Sequence, residues 1–249
     1  MAIMIKTPQE IEKMRVSGIA LRKVHDAIAP HVVAGASTMD LEEIAVAKIA
    51  ELGGKAAFKG YHGYPSALCT SINEEVVHGM PNAKRILKDG DILSIDCGVI
   101  IDSYYSDAAV TYAIGKPEPK VQKLLDVTKA SLEAAIEQCR VGGRLFDIGA
   151  TVQEICEAEG FGVVRDFVGH GIGRSMHEDP QVPNFGTRGK GLRLKAGMVL
   201  AVEPMINAGA PEVKVLKDGW TAITVDGSYS AHFEHTVAIT QDGPIVLTR

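Results

Sequence analysis

The 249-residue chain is poor in aromatic side chains, 5% in all with a single tryptophan, and it has no block of lysine or arginine. Its 26 basic and 31 acidic residues leave a formal net charge of −5, so overall composition gives no basis for charge-driven docking on nucleic acid or on an anionic membrane. No stretch approaches the roughly 20 apolar residues of a membrane span. Residues 1–14 carry Lys6, Glu10, Glu12 and Lys13 where a secretory leader would have an apolar core, so a cytoplasmic protein is expected. Cys69, Cys97, Cys139 and Cys156 include no C-x-x-C pair and no dense disulfide pattern; reduced, mostly buried thiols follow. Three catalytic signatures are also missing. Gly186-Thr187-Arg188-Gly189-Lys190-Gly191 has the wrong spacing for a phosphate loop, His177-Glu178 runs into Asp179-Pro180 and not into H-E-x-x-H, and there is no G-x-S-x-G elbow.

What is present, with 46% hydrophobic residues, suffices for one sizeable core, and its pattern occurs twice. Thr7-Pro8-Gln9-Glu10 offers an N-cap hydroxyl, a proline at the first helical position and a capping-box glutamate; Ile11, Met14, Gly18, Leu21, His25 and Ile28 then recur at helical spacing. A second helix is predicted over 38–52, with Leu41, Ile44, Ala45, Ile49 and Leu52 inward and Gly53-Gly54 as its stop. Val121, Leu124, Leu125, Leu132, Ala135 and Ile136 mark a third, and a shorter fourth runs from Asp147 to near Gly160.

Displacing the numbering by 107 puts Gly35 on Gly142, Asp40 on Asp147, Gly53 on Gly160 and residues 87–96 on 194–203, so that Asp96 falls on Glu203. His78-Gly79-Met80-Pro81 resembles His177-Glu178-Asp179-Pro180, and Asp107-Ala108-Ala109-Val110 resembles Glu234-His235-Thr236-Val237. Four similarities in the same order exceed what chance supplies to short motifs. The expectation is an α/β (α+β) chain forming one domain over 1–249. Its two similar halves, about 8–115 and 117–240, are each strands covered by two helices and share a curved, mainly antiparallel sheet.

The repeated polar residues then meet where the halves meet. A two-residue turn at Ile101-Asp102 would place Asp96 directly opposite Asp107, with Cβ atoms roughly 5 Å apart. Glu203 and Glu234 supply two more acids on apolar strands. Four carboxylates in apolar surroundings are costly unless neutralised, and two divalent cations match their charge. An oxygen-rich set with one imidazole suits Mn, Fe(II), Co or Zn. His170, between Gly169 and Gly171 after an apolar run, breaks the repeat and is the histidine best placed as a ligand. His78 and His177 share the H-x-x-P context and could approach from opposite sides. His25, His31, His62, His232 and His235 are weaker candidates, although His232 shares a strand face with Glu234.

From Ile5 to its end the chain resembles the bacterial, type I methionine aminopeptidases, within the group that includes prolidase and X-Pro aminopeptidase. The resemblance rests on Ser94-Ile95-Asp96, Asp107, Gly169-His170-Gly171-Ile172-Gly173, Glu203-Pro204-Met205 and Glu234 in order. It implies the pita-bread fold with its internal pseudo-two-fold and a cytoplasmic monomer that removes initiator methionine from nascent chains when the second residue is small. It also implies two divalent ions: Asp107 and Glu234 bridge them, Asp96 completes one, and His170 and Glu203 complete the other. A water or hydroxide between the metals is the implied nucleophile, with Glu203 shuttling its proton and His78 and His177 stabilising the gem-diolate and positioning the peptide. The implied methionine slot is Phe58, Tyr61, Tyr64, Cys69, Met176 and Trp220. Relatives often carry a cysteine at Phe58, an aromatic residue at Met176 and a glutamine at His232. A monovalent cation near Asn73 and Ser230, and a ribosome contact near the exit tunnel, are further implications. Prolidase-like enzymes usually carry an extra N-terminal domain, for which 249 residues leave no room; binding proteins on the same fold generally lose ligands.

Overall fold

The computed structural model describes residues 3–249. Helix α1 spans Pro8–Ile28 and begins on the expected capping box: the Glu10 N–H donates to Thr7 Oγ1 (3.2 Å) and the Thr7 N–H to Glu10 Oε2 (2.9 Å). Helix α2, Thr38–Glu51, repeats the device with Ser37 and Asp40. Helices α3, Pro119–Ile136, and α4, Leu145–Ala158, form the second pair. Helix α4 starts two residues before Asp147 because that residue is its capping carboxylate, accepting the Arg144 N–H at 3.0 Å, as Asp40 accepts the Ser37 N–H at 2.8 Å in α2.

The strand pairings are antiparallel. The long strands Ile92–Ile101 and Tyr104–Ala113 pair along their length, and the first also carries Lys55–Ala56 and Leu68–Ile72 on its other edge. A five-stranded sheet in the second half runs Gly243–Val246, His235–Thr240, Val199–Val202, Gly169–Gly171 and Glu178–Val182. The displacement of 107 survives in three dimensions. Isolated bridges join Ser37 to Ile86 and Arg144 to Arg193, and the Gly35 N–H donates to Leu87 O (2.9 Å) as the Gly142 N–H does to Leu194 O (3.0 Å). Strands begin at Ile92 and at Val199.

Each half has its own core. Leu21, Leu41, Ile49, Leu93 and Ile95 pack between α1, α2 and the first sheet; Leu124, Leu132, Ile148, Val152, Leu200 and Val237 do so between α3, α4 and the second. A third cluster, Met14, Ala57, Tyr104, Ile172, Met176, Val199, Ala238 and Leu247, ties the halves together. Helix α1 reaches that cluster closely because Gly18 has no side chain: a Cβ there would lie 2.1 Å from the Leu247 carbonyl oxygen. Gly18→Ala is therefore expected to cost about 1–3 kcal/mol through overpacking. At a few degrees per kcal/mol for a chain of this size, its melting temperature should fall by about 5 °C in a thermal scan.

The hairpin register differs from expectation. Ile101 pairs with Tyr104, leaving Asp102 and Ser103 as the turn with φ of 49° and 64°. Both central residues of this tight turn are left-handed, a conformation that aspartate tolerates and β-branched isoleucine resists, so the turn lies one residue beyond Ile101-Asp102. Asp107 consequently faces Gly98, and Asp96 faces Ala109. Because side-chain facing has a period of two, the two carboxylates remain on one face as diagonal neighbours instead of opposing each other.

Candidate metal centre

The centre forms along the seam between the halves. Glu203 follows the strand Val199–Val202 and Glu234 precedes His235–Thr240; the ladder between those strands ends with His235 opposite Val202, one step short of the two acids. The Glu234 N–H donates to Ala109 O (2.9 Å), the Asp107 N–H to Thr236 Oγ1 (3.0 Å), and that hydroxyl to Asp107 O (2.8 Å). These bonds between halves set Asp107 beside Glu234. His170 enters from the short strand Gly169–Gly171, which crosses close to its neighbours: a Cβ on Gly169 would meet Ala201 O at 2.3 Å, and one on Gly171 would meet Asp179 O at 2.3 Å. The flanking glycines thus admit adjacent backbone, and the imidazole is aimed as a consequence.

Asp107, His170 and Glu234 are all buried and offer ligand atoms within 4.8 Å of one another. His170 Nδ1 lies 2.9 Å from Gly171 O, and since a carbonyl only accepts, Nδ1 carries the proton and Nε2 presents a lone pair. That Nε2 is 3.5 Å from Glu203 Oε1 and 3.9 Å from Asp107 Oδ2. Asp96 Oδ1, Asp107 Oδ1 and Glu234 Oε1 are buried with no hydrogen-bond donor to satisfy them. Unpaired buried carboxylate oxygens facing an imidazole lone pair fit hard or borderline divalent cations.

The electrostatics say the same. Burial pushes all four carboxyls up: Asp96 to about 7, with Glu203 adding to the rise and His232 opposing it; Asp107 well above its usual range, with Asp96 and Glu203 adding; Glu203 through burial; and Glu234 with Asp107, Glu203 and Asp96 adding. Burial and the neighbouring His177 hold His170 down to about 3, so the ring is neutral as a ligand must be.

Above the acids lies a cavity of about 240 Å³, walled by Phe58, Tyr61, His62, Tyr64, Cys69 and Trp220 together with His78 and His177. Tyr64 and Trp220 meet edge to face at 5.1 Å between centroids, and His78 stands beside Trp220 and Phe167. His177 approaches from another wall, its ring 4.3 Å from that of His170 and its Nδ1 2.7 Å from the Tyr61 hydroxyl. Burial keeps the Cys69 thiol protonated. One expected wall residue is placed differently. Met176 is 1% exposed and packs in the cluster joining the halves, behind Phe58, because the unbranched thioether fills the space facing Gly98. His62, one of the weaker candidates by sequence, lies on the cavity wall; its signal is its place in Gly60-Tyr61-His62-Gly63, whose turn holds it at φ 48°. His235 points elsewhere, its Nδ1 2.9 Å from Thr248 Oγ1. Asn73 and Ser230 are brought together, the Ser230 N–H donating to Asn73 O at 2.8 Å.

Residues 12–241 match the model of metallopeptidase family M24. The chain belongs to that family. Among similar proteins, methionine aminopeptidase 1 of Bacillus subtilis is 48% identical over 247 residues, 99% of each chain. The crystal structure of methionine aminopeptidase from Thermotoga maritima superposes with a TM-score of 0.98 at 48% identity, covering 100% of both chains. A prolidase from Pyrococcus horikoshii, 22% identical with a TM-score of 0.79, has the same fold over 98% of this chain and 63% of its own. The M24 architecture here is thus the pita-bread fold with duplicated halves. Among the described residues, no helix is long and apolar enough to cross a membrane.

Proposed function

We propose that this M24 chain is a bacterial-type methionine aminopeptidase, a single catalytic unit that hydrolyses the bond after an N-terminal methionine when the second residue is small. The observation that carries the reading is the set of unpaired, buried carboxylate oxygens at the base of a largely apolar cavity of methionine size. Asp96, Asp107, His170, Glu203 and Glu234 would hold two divalent cations, Co, Mn, Fe(II) or Zn. When bound, the ions supply Lewis-acid charge that polarises the scissile carbonyl and activates water.

The chain's own groups do the rest. Glu203, with one oxygen turned to His170, is placed to take a proton and return it to the leaving amine. His78, held down to about 4 by burial and by its histidine neighbours, is neutral at physiological pH and donates an N–H to charge developing on the carbonyl oxygen without titrating. His177, anchored through Nδ1 by Tyr61, keeps Nε2 for the peptide. Phe58, Tyr61, Tyr64, Cys69 and Trp220 exclude water around the methionine side chain, while the carboxylate cluster favours a free α-amine and hence an exopeptidase. Nascent-chain N-termini as partners, contact with the ribosome near the exit tunnel, a monovalent cation at Asn73 and Ser230, and a cytoplasmic monomer belong to the same reading.

Assays of Met-Ala-Ser and Gly-Pro substrates with added Mn or Co, before and after chelation, test it. Methionine release lost on chelation is the expected result. Cleavage of Gly-Pro alone would assign the chain to the prolidase type, and no release with either metal would overturn the aminopeptidase.

A further inference from the structure

His232 has no part in the roles assigned above, yet it sits against one of the proposed ligands. It ends the strand Ser230–His232 opposite Met205, is 2% exposed, and its Nε2 is buried without a hydrogen-bond partner. The backbone around it is fixed from the other half: its N–H donates to Thr111 Oγ1 (2.9 Å) and that hydroxyl donates to the His232 carbonyl (2.7 Å). Nε2 points at Glu203, 3.7 Å from Oε2, while Oε1 of the same carboxylate faces His170 Nε2 at 3.5 Å. Glu203 therefore lies between two imidazoles.

The two are not equivalent. His170 commits its proton to Gly171 O through Nδ1, so its Nε2 and an ionised Glu203 Oε1 are two lone-pair atoms facing each other, a pairing that a shared cation, or in its absence a proton on the carboxyl, resolves. On the other side no such commitment binds His232 Nε2, which can carry a hydrogen. Closing 3.7 Å to the roughly 2.9 Å of an N–H···O bond takes less than an ångström of side-chain motion.

We propose that His232 is a positioning residue that donates from Nε2 to Oε2 of Glu203, fixing which oxygen is presented to the metal and which stays on the protein side. The inference rests on the metal-site reading above and deepens it: His232 orients a group that must both hold a cation and carry a proton. Outer partners of this kind typically change metal affinity or activity by about 10–100-fold when removed.

The test compares H232L, similar in volume without a donor, with H232Q, whose amide N–H reaches the same direction, in the full chain stripped of metal and checked for folding by circular dichroism. Mn²⁺ affinity is measured by titration calorimetry, and kcat and KM on Met-Ala-Ser. H232L is expected to bind Mn²⁺ about 10-fold or more weakly and to lose kcat by a similar factor with KM within about 2-fold; H232Q is expected to recover both to within about 3-fold. Wild-type Mn²⁺ affinity in H232L, or an H232Q no better than H232L, overturns the proposal. Should H232L fail to fold, H232Q decides alone: a folded H232Q that binds Mn²⁺ about 10-fold more weakly overturns it. Because calorimetry needs no substrate, failure of the wild-type chain to release methionine would count against the aminopeptidase and leave the His232 result readable.

Discussion

Asp107→Asn is expected to remove methionine release and to weaken Mn²⁺ binding by more than about 100-fold, beyond the range typical of losing an outer hydrogen-bond partner. Asp107 is pinned from the opposite half by two hydrogen bonds through Thr236, and both involve only its main chain. The substitution leaves those bonds intact and changes the side chain alone, so the fold should survive. What it removes is a charge at the point where Glu234, His170 and Asp96 converge. An amide offers one neutral oxygen in place of a carboxylate able to serve two cations, and its NH₂ turns a donor toward the site. Activity on Met-Ala-Ser and calorimetric titration with Mn²⁺ check the two parts separately. Turnover and affinity unchanged from wild type would remove Asp107 from the proposed centre. Loss of activity with full affinity would confine its role to chemistry.

The same residue shows what a sequence can and cannot disclose. That Asp96 and Asp107 share a face was legible, because facing depends only on the parity of their separation from the turn. Their register was not, because it depends on which two residues accept left-handed backbone; Asp102 and Ser103 do so. The start of α1 is legible because its cap is chemical, at Thr7, whereas α4 starts two residues earlier than expected because Asp147 is its capping carboxylate and not its first residue. The four acidic ligands are legible because matched acids on apolar strands have no ordinary packing explanation, and His170 because it stands between two glycines and breaks the repeat. The cavity wall was less legible. Met176 and Phe58 are both apolar and adjoin the same space, and only three-dimensional packing puts one on the wall and the other behind it. His232 could be placed on the face of Glu234 from spacing alone, but its approach to Glu203 depends on pairing with Met205, a contact between segments whose separation no periodicity reports.

Metal-free protein is expected to become less stable as pH rises from 7 to 8, the reverse of the behaviour expected with Mn²⁺ bound. The sign follows from which state holds more protons. Asp107, Glu203 and Glu234 are raised well above their ordinary values of 3.8 and 4.5, so between those values and their folded ones the native chain keeps protons that the unfolded chain has released. Stability then falls with rising pH, by about 1.4 kcal/mol per pH unit for each proton retained. The histidines act oppositely, but lower down. His25, His78, His170 and His235 are held down to about 4, 4, 3 and 3 from 6.5, so they favour the folded state as pH rises toward 6.5 and contribute little above it. Asp96, raised to about 7, gives up the remainder of its native proton between pH 7 and 8 and so carries the fall in that window. Between pH 7 and 8 the carboxyls raised well above their ordinary values act in the same direction as Asp96, and each proton that the native chain retains there should lower the melting temperature by about 3 °C. Bound cations reverse the slope because they require the deprotonated ligands. Thermal scans of chelated and Mn²⁺-loaded protein at the two pH values check this; a chelated melting temperature that is flat or rises would mean that the carboxyls are already ionised without metal, and that the seam between the halves tolerates their charge unaided.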